Sequence, residues 1–546
     1  MSVRTRVLCV CAALLTVVAS QTAGPAAAKL PAWSGPSPIP GTAGEVNPLA
    51  STAPNGAELL LWTVPGTTSP QNSVKAKLRQ PGSDHWVNVP SPMMDKNYGG
   101  AIAIAATRGG DFWVAFGWET PAGFFEAYVA RLDSDHRRWT KLTRVFHDAD
   151  YGHQSPSIAV SDAGEVFVAA HAVPHTFSSP PQYRAEVATM RPGKPWRTTF
   201  LSGANGFALA RNVVANPKGQ AAVAIIQGYD LSDMRVRVAT RDKGSAAQWR
   251  LADLSVAGDA QKAYTAIGPD GTAAVEWHAP SNGALTVRLA TYRIGTAGSW
   301  SVTDAVTGGA GSNNSTFPVV SRDGSVTALW ETFVNPNSLL YARQLSGGTW
   351  GTAAPYSQAG QRGVLHSAQP RPDGTVAAVY QQFSAGPANE GLRYQVIDGG
   401  VPGGEVVLTD AGDGSVNGAY FGVDAAYGDH VLYTRGDYPA TDFVTMGESS
   451  GRPEAVTSLH SGVLATKATV KGKMRVGHRV VCRTGYWVEA TDVTYRWFRG
   501  SSAIRRETGR SYRLVSADQG RKVSCRAKAV SDFGLHVLSS SGRRVR

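Results

Sequence analysis

A glycine-centred turn recurs eight times along this chain of 546 residues, and each turn is followed by an apolar strand. Successive turn glycines lie 50 to 55 residues apart, a narrower spread than unrelated hairpins would show. Such a fixed period is typical of a repeat fold, in which neighbouring units stack on one another. The eight turns are Asn55-Gly56, Gly109-Gly110, Ala163-Gly164, Lys218-Gly219, Asp270-Gly271, Asp323-Gly324, Asp373-Gly374 and Tyr427-Gly428.

Each unit has the same internal plan, which is clearest around Asp270-Gly271. The pattern predicts strands over residues 264 to 267, 272 to 277 and 285 to 292, and a fourth strand that opens at Trp300. Asn-Gly and Asp-Gly favour a two-residue hairpin turn with positive φ angles between the first two strands. In units one to six a tryptophan opens the fourth strand, and units seven and eight lack it. The six residues are Trp86, Trp139, Trp196, Trp249, Trp300 and Trp350.

The repeat predicts an all-β fold. No unit has a helix-period segment, and four short antiparallel strands cannot bury both faces alone. A radial array of such units buries both faces and protects most strand edges, so we predict a β-propeller across about residues 41 to 457. Eight blades are favoured because eight units can be counted in one phase, whereas seven would result if the first and last units shared a blade.

The N-terminus has the pattern of a secretory signal peptide over residues 1 to 28. Arg4 and Arg6 precede an apolar run over residues 7 to 19, and Ala26-Ala27-Ala28 supplies a cleavage site. The apolar run is too short to span a bilayer, and no later stretch approaches about 20 apolar residues. We therefore expect a secreted protein without a membrane span, extracellular or loosely associated with the cell wall.

Two cysteines, Cys482 and Cys525, lie outside the predicted signal peptide, which contains Cys9 and Cys11. In an exported domain this favours one disulfide over two unpaired buried thiols.

The basic character of the chain is confined to its C-terminal part. A linker is predicted over residues 449 to 466 and a second domain over residues 467 to 546. From residue 461 onward there are 19 Lys plus Arg against 5 Asp plus Glu, whereas the rest of the chain has 34 against 36. Such a domain attracts acidic polymers, and an anionic cell-wall polymer is one expected partner. A solvated, arginine-rich spacer is the alternative, and no nucleic-acid recognition signature is found.

The spacing of Cys482, Trp497 and Cys525 is typical of an immunoglobulin-like sandwich, in which the tryptophan packs on an inter-sheet disulfide. The domain resembles the immunoglobulin-like repeat of exported actinobacterial proteins. It departs from antibody-type domains at Val523, where those have a tyrosine. The resemblance rests on Val476-Gly477, Gly485, Trp487, Tyr495, Trp497, Arg499-Gly500, Tyr512, Leu514, Ala517-Asp518, Gly520, Val523 and Cys525.

Histidines cluster in the third unit, where four of the twelve fall between residues 146 and 184. Ligands usually meet propellers at the face opposite the Asp-Gly turns, where first strands begin and second strands end. His153 precedes the predicted first strand and His171 ends its partner, so antiparallel pairing places both at that face. The cluster consists of His147, His153, His171 and His175.

This stretch resembles one blade of the sialidase-repeat-like propellers that include ulvan lyases and related polysaccharide lyases. In that family a histidine pair takes part in proton transfer during β-elimination, while tyrosine and arginine assist or neutralise the uronate carboxylate. The next blade of those lyases adds a tyrosine and an arginine, where this sequence has only Arg211 and Tyr229. The matching residues are His153, Ser155-Pro156, Ile158, Val160, Gly164, Val168, His171 and Tyr183-Arg184.

Three interpretations of His153 and His171 stay open: a hydrogen-bonded cross-strand pair, a ligand-binding site, or a catalytic acid/base pair. Candidate ligand-binding residues around them are His175, Tyr183, Arg184 and Arg211. A zinc site is conceivable from His147, Asp148, Asp150 and His153, although loop-borne His and Asp are more often solvated. We predict no metal, and no cofactor is expected.

Aromatic and polar residues end the second strands of several other units. Such a ring suits stacking on sugar faces, but packing between blades needs large apolar residues at the same positions. The candidates taken as ligand-binding are Trp118, Trp277, Trp330 and Glu331.

Two functions follow from these patterns. The favoured one is an exported binding protein whose propeller recognises an extracellular polysaccharide or protein, with a basic immunoglobulin-like domain that contacts anionic envelope polymers. The alternative is a divergent polysaccharide lyase or glycoside hydrolase that acts on acidic polysaccharide through His153 and His171. Ser321-Arg322-Asp323-Gly324 only approximates a sialidase Asp box, and no phosphate loop or nucleophile elbow is present.

Overall fold

The computed structural model describes residues 37–447 and 468–546 apart from internal gaps. The predicted signal peptide and the whole of the predicted linker lie outside the described residues. Among the residues described, no helix is long and apolar enough to cross a membrane. The gaps are residues 41, 43–45, 65–72, 82, 84, 91–101, 121–123, 135–136, 177–181, 203–205, 230–231, 245–246, 282–283, 310–315, 335–336, 359–360, 384–390, 410–415, 425–427, 436–441, 484–491, 501, 506 and 532–533.

Eight antiparallel sheets, each the blade of a propeller, form the N-terminal part of the chain. Blades 2 and 6 each have two short segments in place of one fourth strand. In order from blade 1 to blade 8 the strands are Val46–Thr52, Glu58–Val64, Ser73–Arg79, Trp86–Val89; Ile102–Ala106, Phe112–Glu119, Phe125–Asp133, Arg138–Trp139, Thr143–Arg144; Tyr151–Val160, Val166–Pro174, Arg184–Met190, Arg197–Phe200; Phe207–Ala215, Ala221–Gly228, Arg235–Arg241, Trp249–Asp253; Gln261–Ile267, Thr272–Ser281, Ala284–Arg293, Ser301–Gly309; Thr316–Val320, Val326–Val334, Asn337–Ser346, Thr349–Trp350, Ala354–Pro355; Arg362–Pro370, Val376–Phe383, Gly391–Asp398, Val401–Val407; Val416–Asp424, Gly428–Arg435, Asp442–Gly447 and Ser37–Pro38.

The first strand of every blade is innermost in the ring. First strands of consecutive blades contact each other all the way round, and the first strand of blade 8 contacts that of blade 1. The ring is therefore closed, and groups on the first strands of neighbouring blades lie close together.

The N-terminal strand completes the last blade. Ser37 pairs with Thr445 and Pro38 with Val444, so the fourth strand of blade 8 comes from the start of the chain. Eight complete blades result, and the preference for eight over seven is confirmed. The propeller begins before the predicted boundary at residue 41, because a strand of two residues has no periodic pattern to reveal it.

The predicted two-residue hairpin turns are wrong in type. At Asp270-Gly271, the Gly268 amide donates to Thr272 O and the Gly271 amide to Gly268 O, which gives a three-residue loop. Of these two residues only Gly271 has a positive φ, 101°, and the φ of Asp270 is not positive. The aspartate acts through its side chain instead, because Oδ1 accepts the Thr272 amide at 2.9 Å. This is a type I turn followed by a left-handed glycine.

Apolar residues on both faces of each sheet form the cores between blades. Phe167 and Val187 of blade 3 pack with Val223 and Ile225 of blade 4. Val166 and Val168, on the opposite face of blade 3, pack with residues of blade 2. Each second strand is therefore buried on both sides, which explains its apolar composition.

The C-terminal part is a two-sheet sandwich. Cys482 and Cys525 form a disulfide that links the two sheets, with a Cα–Cα distance of 5.9 Å, and Trp497 lies buried in the same core. The predicted disulfide is thus present, while the immunoglobulin-like assignment stays a prediction. One sheet contains Thr469–Lys471, Arg479–Arg483 and Ser511–Arg513; the other contains Asp492–Arg499, Ser502–Ala503, Lys522–Ser531, Gly534–Ser539 and Arg543–Arg544, and a 3₁₀ turn spans Ser516–Asp518.

Truncation of Ile39 tests whether the closing strand stabilises the ring. Ile39 is 2% exposed and packs with Leu60 and Trp62 of blade 1. Ile39→Ala should lower the free energy of unfolding by about 2–5 kcal/mol, as expected for a buried large-to-small change. Val256→Ala, at a side chain that is 74% exposed, is the matched control. Equal denaturation midpoints for the two variants would show that closure contributes nothing.

Candidate functional site

His153 lies inside blade 3 and is engaged there. Its side chain is 1% exposed, and Nε2 lies 3.2 Å from Oε2 of Glu186 on the third strand. The Phe146 ring stacks on the imidazole at 4.3 Å between centroids and 4° between planes. His153 is therefore held by a carboxylate on one side and an aromatic ring on the other.

His171 points to the opposite face of the sheet from His153. His153 lies opposite Ala172 and His171 opposite Gln154, and successive side chains of a strand alternate between faces. The interpretation as a hydrogen-bonded cross-strand pair is therefore wrong, because the partner of His153 is Glu186. His171 instead faces blade 4, as does its neighbour Ala169 in the core between blades 3 and 4.

β-Bulges interrupt most of the first strands. Within the described residues, single unpaired residues occur at Asn47, Arg211, Lys262 and His366, and two unpaired residues occur at Ser155-Pro156 in blade 3 and at Asn417-Gly418 in blade 8. A bulge turns its extra side chain away from the regular ladder and is common beside functional sites. Ser155 and Lys262 also have positive φ angles, 49° and 46°, although neither is glycine. Such strain persists only where surrounding structure imposes it.

Hydrogen bonds between blades fix the bulges relative to one another. The Val213 amide donates to Ser157 Oγ at 3.1 Å, which joins blades 4 and 3. Asn212 Nδ2 donates to Thr265 O at 2.8 Å, and the Thr265 amide donates to Asn212 Oδ1 at 3.0 Å, which joins blades 4 and 5. Arg211 and Lys262 are thus presented side by side from adjacent inner strands.

Four basic or imidazole side chains of blades 3 to 5 interact electrostatically at this level, and we call them the inner basic group: His171, Arg211, Lys262 and His278. Burial, together with Arg211 and His153, lowers the pKa of His171 to about 4. Burial and Lys262 lower the pKa of His278 to about 4. Both imidazoles are therefore neutral at pH 7.

The two cationic side chains of the group, Arg211 and Lys262, repel each other. Burial and the charge of Arg211 lower the pKa of Lys262, while the carboxylate of Glu331 opposes this shift. The Arg211 guanidinium lies 5.7 Å from the centroid of the Tyr264 ring, and its buried Nε has no hydrogen-bond partner. The positive charge of Arg211 thus lies beside the Tyr264 ring, and its Nε–H is a donor without an acceptor.

The other candidates of blade 3 have partners within the fold. The Arg184 guanidinium lies 3.9 Å from the Tyr151 ring centroid and 3.5 Å from Asp148 Oδ2. His175 stacks on Phe124 at 3.7 Å between ring centroids. Tyr183 packs edge-on against Phe207 at 5.1 Å. These contacts pack the ends of blade 3 within the blade and against its neighbours.

The His147, Asp148, Asp150 and His153 set does not form a metal site in the structure. Asp148 accepts the Asp150 amide and contacts Arg184, while His153 is buried against Glu186. Across the described residues, no group of three His, Cys, Asp or Glu side chains could hold a metal ion.

The candidate tryptophans lie in packing positions. Trp277 is fully buried between blades 4 and 5, and Trp330 stacks on Tyr341 at 5.7 Å. Trp118 packs edge-on against Tyr128 at 6.0 Å. Glu331 is buried, and one of its carboxylate oxygens has no hydrogen-bond partner. Packing between blades, one of the two interpretations of these aromatics, agrees with this placement.

Sequence reasoning missed Lys262 and did not place His278 beside a cation. His278, like His171 and Glu331, is the seventh residue after its turn glycine, so the repeat itself could have aligned the three. The bulges could not be found in this way, because an unpaired residue only shifts the alternation of a strand that is apolar on both faces.

Comparisons with known proteins find only distant likenesses among solved structures. No family model matches the chain, and no curated protein matches it. A protein of unknown function from Dyadobacter fermentans is 12% identical with a TM-score of 0.37, covering 64% of this chain and 94% of that chain. A Hadza microbial sialidase is 12% identical with a TM-score of 0.38, covering 70% of this chain and 74% of that chain.

An ulvan lyase of a polysaccharide lyase family is 11% identical with a TM-score of 0.39, covering 66% of this chain and 95% of that chain. At these TM-scores the likenesses carry no inference about activity or ligand. Such an inference has to rest on the residues of this chain.

The pKa shifts of His171 and His278 predict a pH-dependent stability. Both folded pKa values, about 4, lie below the ordinary 6.5, so the unfolded chain binds protons at higher pH. Stability from these groups is fully present above pH 6.5 and is lost as the pH falls towards 4. In the double variant His171→Gln/His278→Gln the melting temperature should depend less on pH over this range. The control His147→Gln, at an exposed side chain, should keep the wild-type slope of melting temperature against pH. Parallel curves for all three proteins would contradict the assignment.

Proposed function

We propose that this is an exported binding protein whose propeller recognises an acidic extracellular glycan at the inner basic group. The observation that carries the proposal is the placement of Arg211 and Lys262 on bulges of adjacent inner strands. The Arg211 guanidinium has a buried Nε without a hydrogen-bond partner, and its charge acts to lower the pKa of Lys262. A carboxylate or sulfate bound between the two side chains would accept that N–H and stabilise the charges of both.

The surroundings suit a sugar that bears an anion. Tyr264 lies under the guanidinium of Arg211 and packs against Phe317 at 5.3 Å. Neutral His171 adds a hydrogen-bonding group beside the cation. An aromatic face next to a few convergent polar groups is the usual composition of a carbohydrate site.

Binding is favoured over turnover because the predicted acid/base pair is not assembled. His153 is enclosed by Phe146 and Glu186, and it faces away from His171. Proton transfer needs a group within hydrogen-bond reach of the substrate, and a residue that is 1% exposed does not meet that condition.

One observation favours β-elimination as a second candidate. Arg211 lies within electrostatic reach of neutral His171, and this pair could supply a base and a carboxylate neutraliser. His171 would remove the proton beside the uronate carboxylate and return it to the glycosidic oxygen, the bond from that oxygen to the next carbon would break, and an unsaturated sugar and a free hydroxyl would form. A pKa of about 4 makes His171 a weak base for this step.

Removal of the Arg211 charge tests the binding proposal. Arg211→Gln should weaken binding of short alginate or heparin oligosaccharides by about tenfold or more, the value of a charge-assisted hydrogen bond. Arg211→Lys keeps the charge and should retain part of the affinity. Isothermal titration calorimetry measures both, with neutral dextran oligosaccharides as the ligand control.

Arg197→Gln is the matched control, because it removes one exposed charge from the outer strand of blade 3. It should leave affinity for the short oligosaccharides unchanged. Equal losses for Arg197→Gln and Arg211→Gln would mean that net charge, not this site, governs binding.

The lyase candidate makes a separate prediction. Incubation with a panel of uronic-acid polysaccharides should give no rise in unsaturated-product absorbance if the protein only binds. A rise that disappears in His171→Gln but persists in His147→Gln would establish elimination and overturn the binding-only proposal.

A further inference from the structure

The three-stranded sheet of the C-terminal domain has one apolar and one basic face. Val470, Val480, Cys482 and Tyr512 point into the core, so the alternate residues point outward. The outward side chains with a positive charge are exposed, and we call them the basic face: Lys471, Arg479, Arg483 and Arg513.

Cations lie directly opposite each other in this domain. Arg479 is in register with Arg513 on the basic face. On the other sheet, Arg496 is in register with Arg526, and Lys522 with Arg544. Like charges directly opposite on antiparallel strands destabilise a sheet, each pair by a few tenths of a kcal/mol to about 1 kcal/mol. The three pairs of opposed cations therefore do not stabilise the folded domain.

The buried acid Asp518 is engaged elsewhere in the fold of this domain. Asp518 is fully buried and accepts hydrogen bonds from Arg499 Nε, Tyr512 OH and the Val515 amide, at 2.7, 2.7 and 2.8 Å. On the basic face, Arg479 Nη1 donates to Ser511 Oγ at 2.8 Å and Arg513 Nε to Gly477 O at 3.0 Å. Both guanidinium groups are thus oriented by neutral acceptors and keep their charge.

We propose that the basic face is a docking surface for a linear polyanion, recognised through the repeated charges of its backbone. The surface is an extended sheet on which cations recur along a strand, as at Arg479 and Arg483, which lie four residues apart on either side of the outward Val481. A flexible chain with one anion per repeat can meet several of these cations at once. The attraction offsets the repulsion between opposed cations and releases counterions from the polymer.

The chemistry of the face argues against nucleic acid as the occupant. Its remaining outward residues are Thr469, Val481 and Ser511, so none of its described side chains is an aromatic platform on which a base could stack. The described residues of this domain form strands and one 3₁₀ turn, and they include no α-helix that could enter a groove. Recognition by backbone charge alone is what this composition permits.

The test compares salt-dependent binding of long-chain inorganic polyphosphate and polyglutamate to the purified protein. Binding of a polyanion through several cations makes log K fall with log salt, by about 0.7 to 0.9 per contact. Arg479→Gln/Arg513→Gln should reduce this slope by about 1 to 2, whereas Arg479→Lys/Arg513→Lys should retain it. The polymer with the larger loss identifies phosphate or carboxylate as the preferred charge.

Lys194→Gln/Arg197→Gln removes the same charge from exposed positions of the propeller and is the control. The melting temperature of Arg479→Gln/Arg513→Gln at low salt should be unchanged or higher, because one repulsive pair is gone. Equal slope losses in the control variant, or no binding of either polymer by the wild-type protein, would overturn the proposal. Tighter binding of duplex DNA than of polyphosphate would overturn it in favour of a nucleic acid.

Discussion

Every blade depends on its two neighbours, because a four-stranded sheet with two apolar faces cannot bury either face alone. The second strands make this dependence clear: Val166, Phe167 and Val168 of blade 3 alternate between the core shared with blade 2 and the core shared with blade 4. A linear stack would leave two apolar ends exposed. The pairing of Ser37–Pro38 with blade 8, and the contact between blades 8 and 1, remove both ends at once.

Close packing also determines where polar chemistry can lie. The second strands of blades 3, 4 and 7 are apolar near the turn, and polar residues lie near the far ends of several second strands, as at His171, His278 and Glu331. Bulges in the first strands occur at the same level, and they turn Arg211 and Lys262 out of the ladder. Hydrogen bonds between blades hold these bulges in place, so the inner basic group is positioned by the rigid part of the fold and not by loops.

The repeat period alone predicts the fold class and favours eight blades over seven, because glycine turns and apolar strands are local signals. The closing strand was invisible to this reasoning, since its pairing partner lies some four hundred residues away in sequence and is a matter of topology. For the candidate site, the histidine cluster of blade 3 suggested His153 and His171 as a pair, which they are not. Its members alternate across the sheet, and their true partners, Glu186 and Arg211, belong to another strand and another blade.

The two concentrations of positive charge differ in physical character. In the inner basic group, burial makes the imidazoles neutral and leaves Arg211 and Lys262 as a compact pair beside one aromatic ring, a geometry that suits one anionic group of one sugar. On the basic face, exposed guanidinium groups repeat along a flat sheet, a geometry that discriminates poorly between single anions but gains with every added charge. Under the two proposals, burial would provide selectivity at the propeller and repetition would provide avidity at the sandwich.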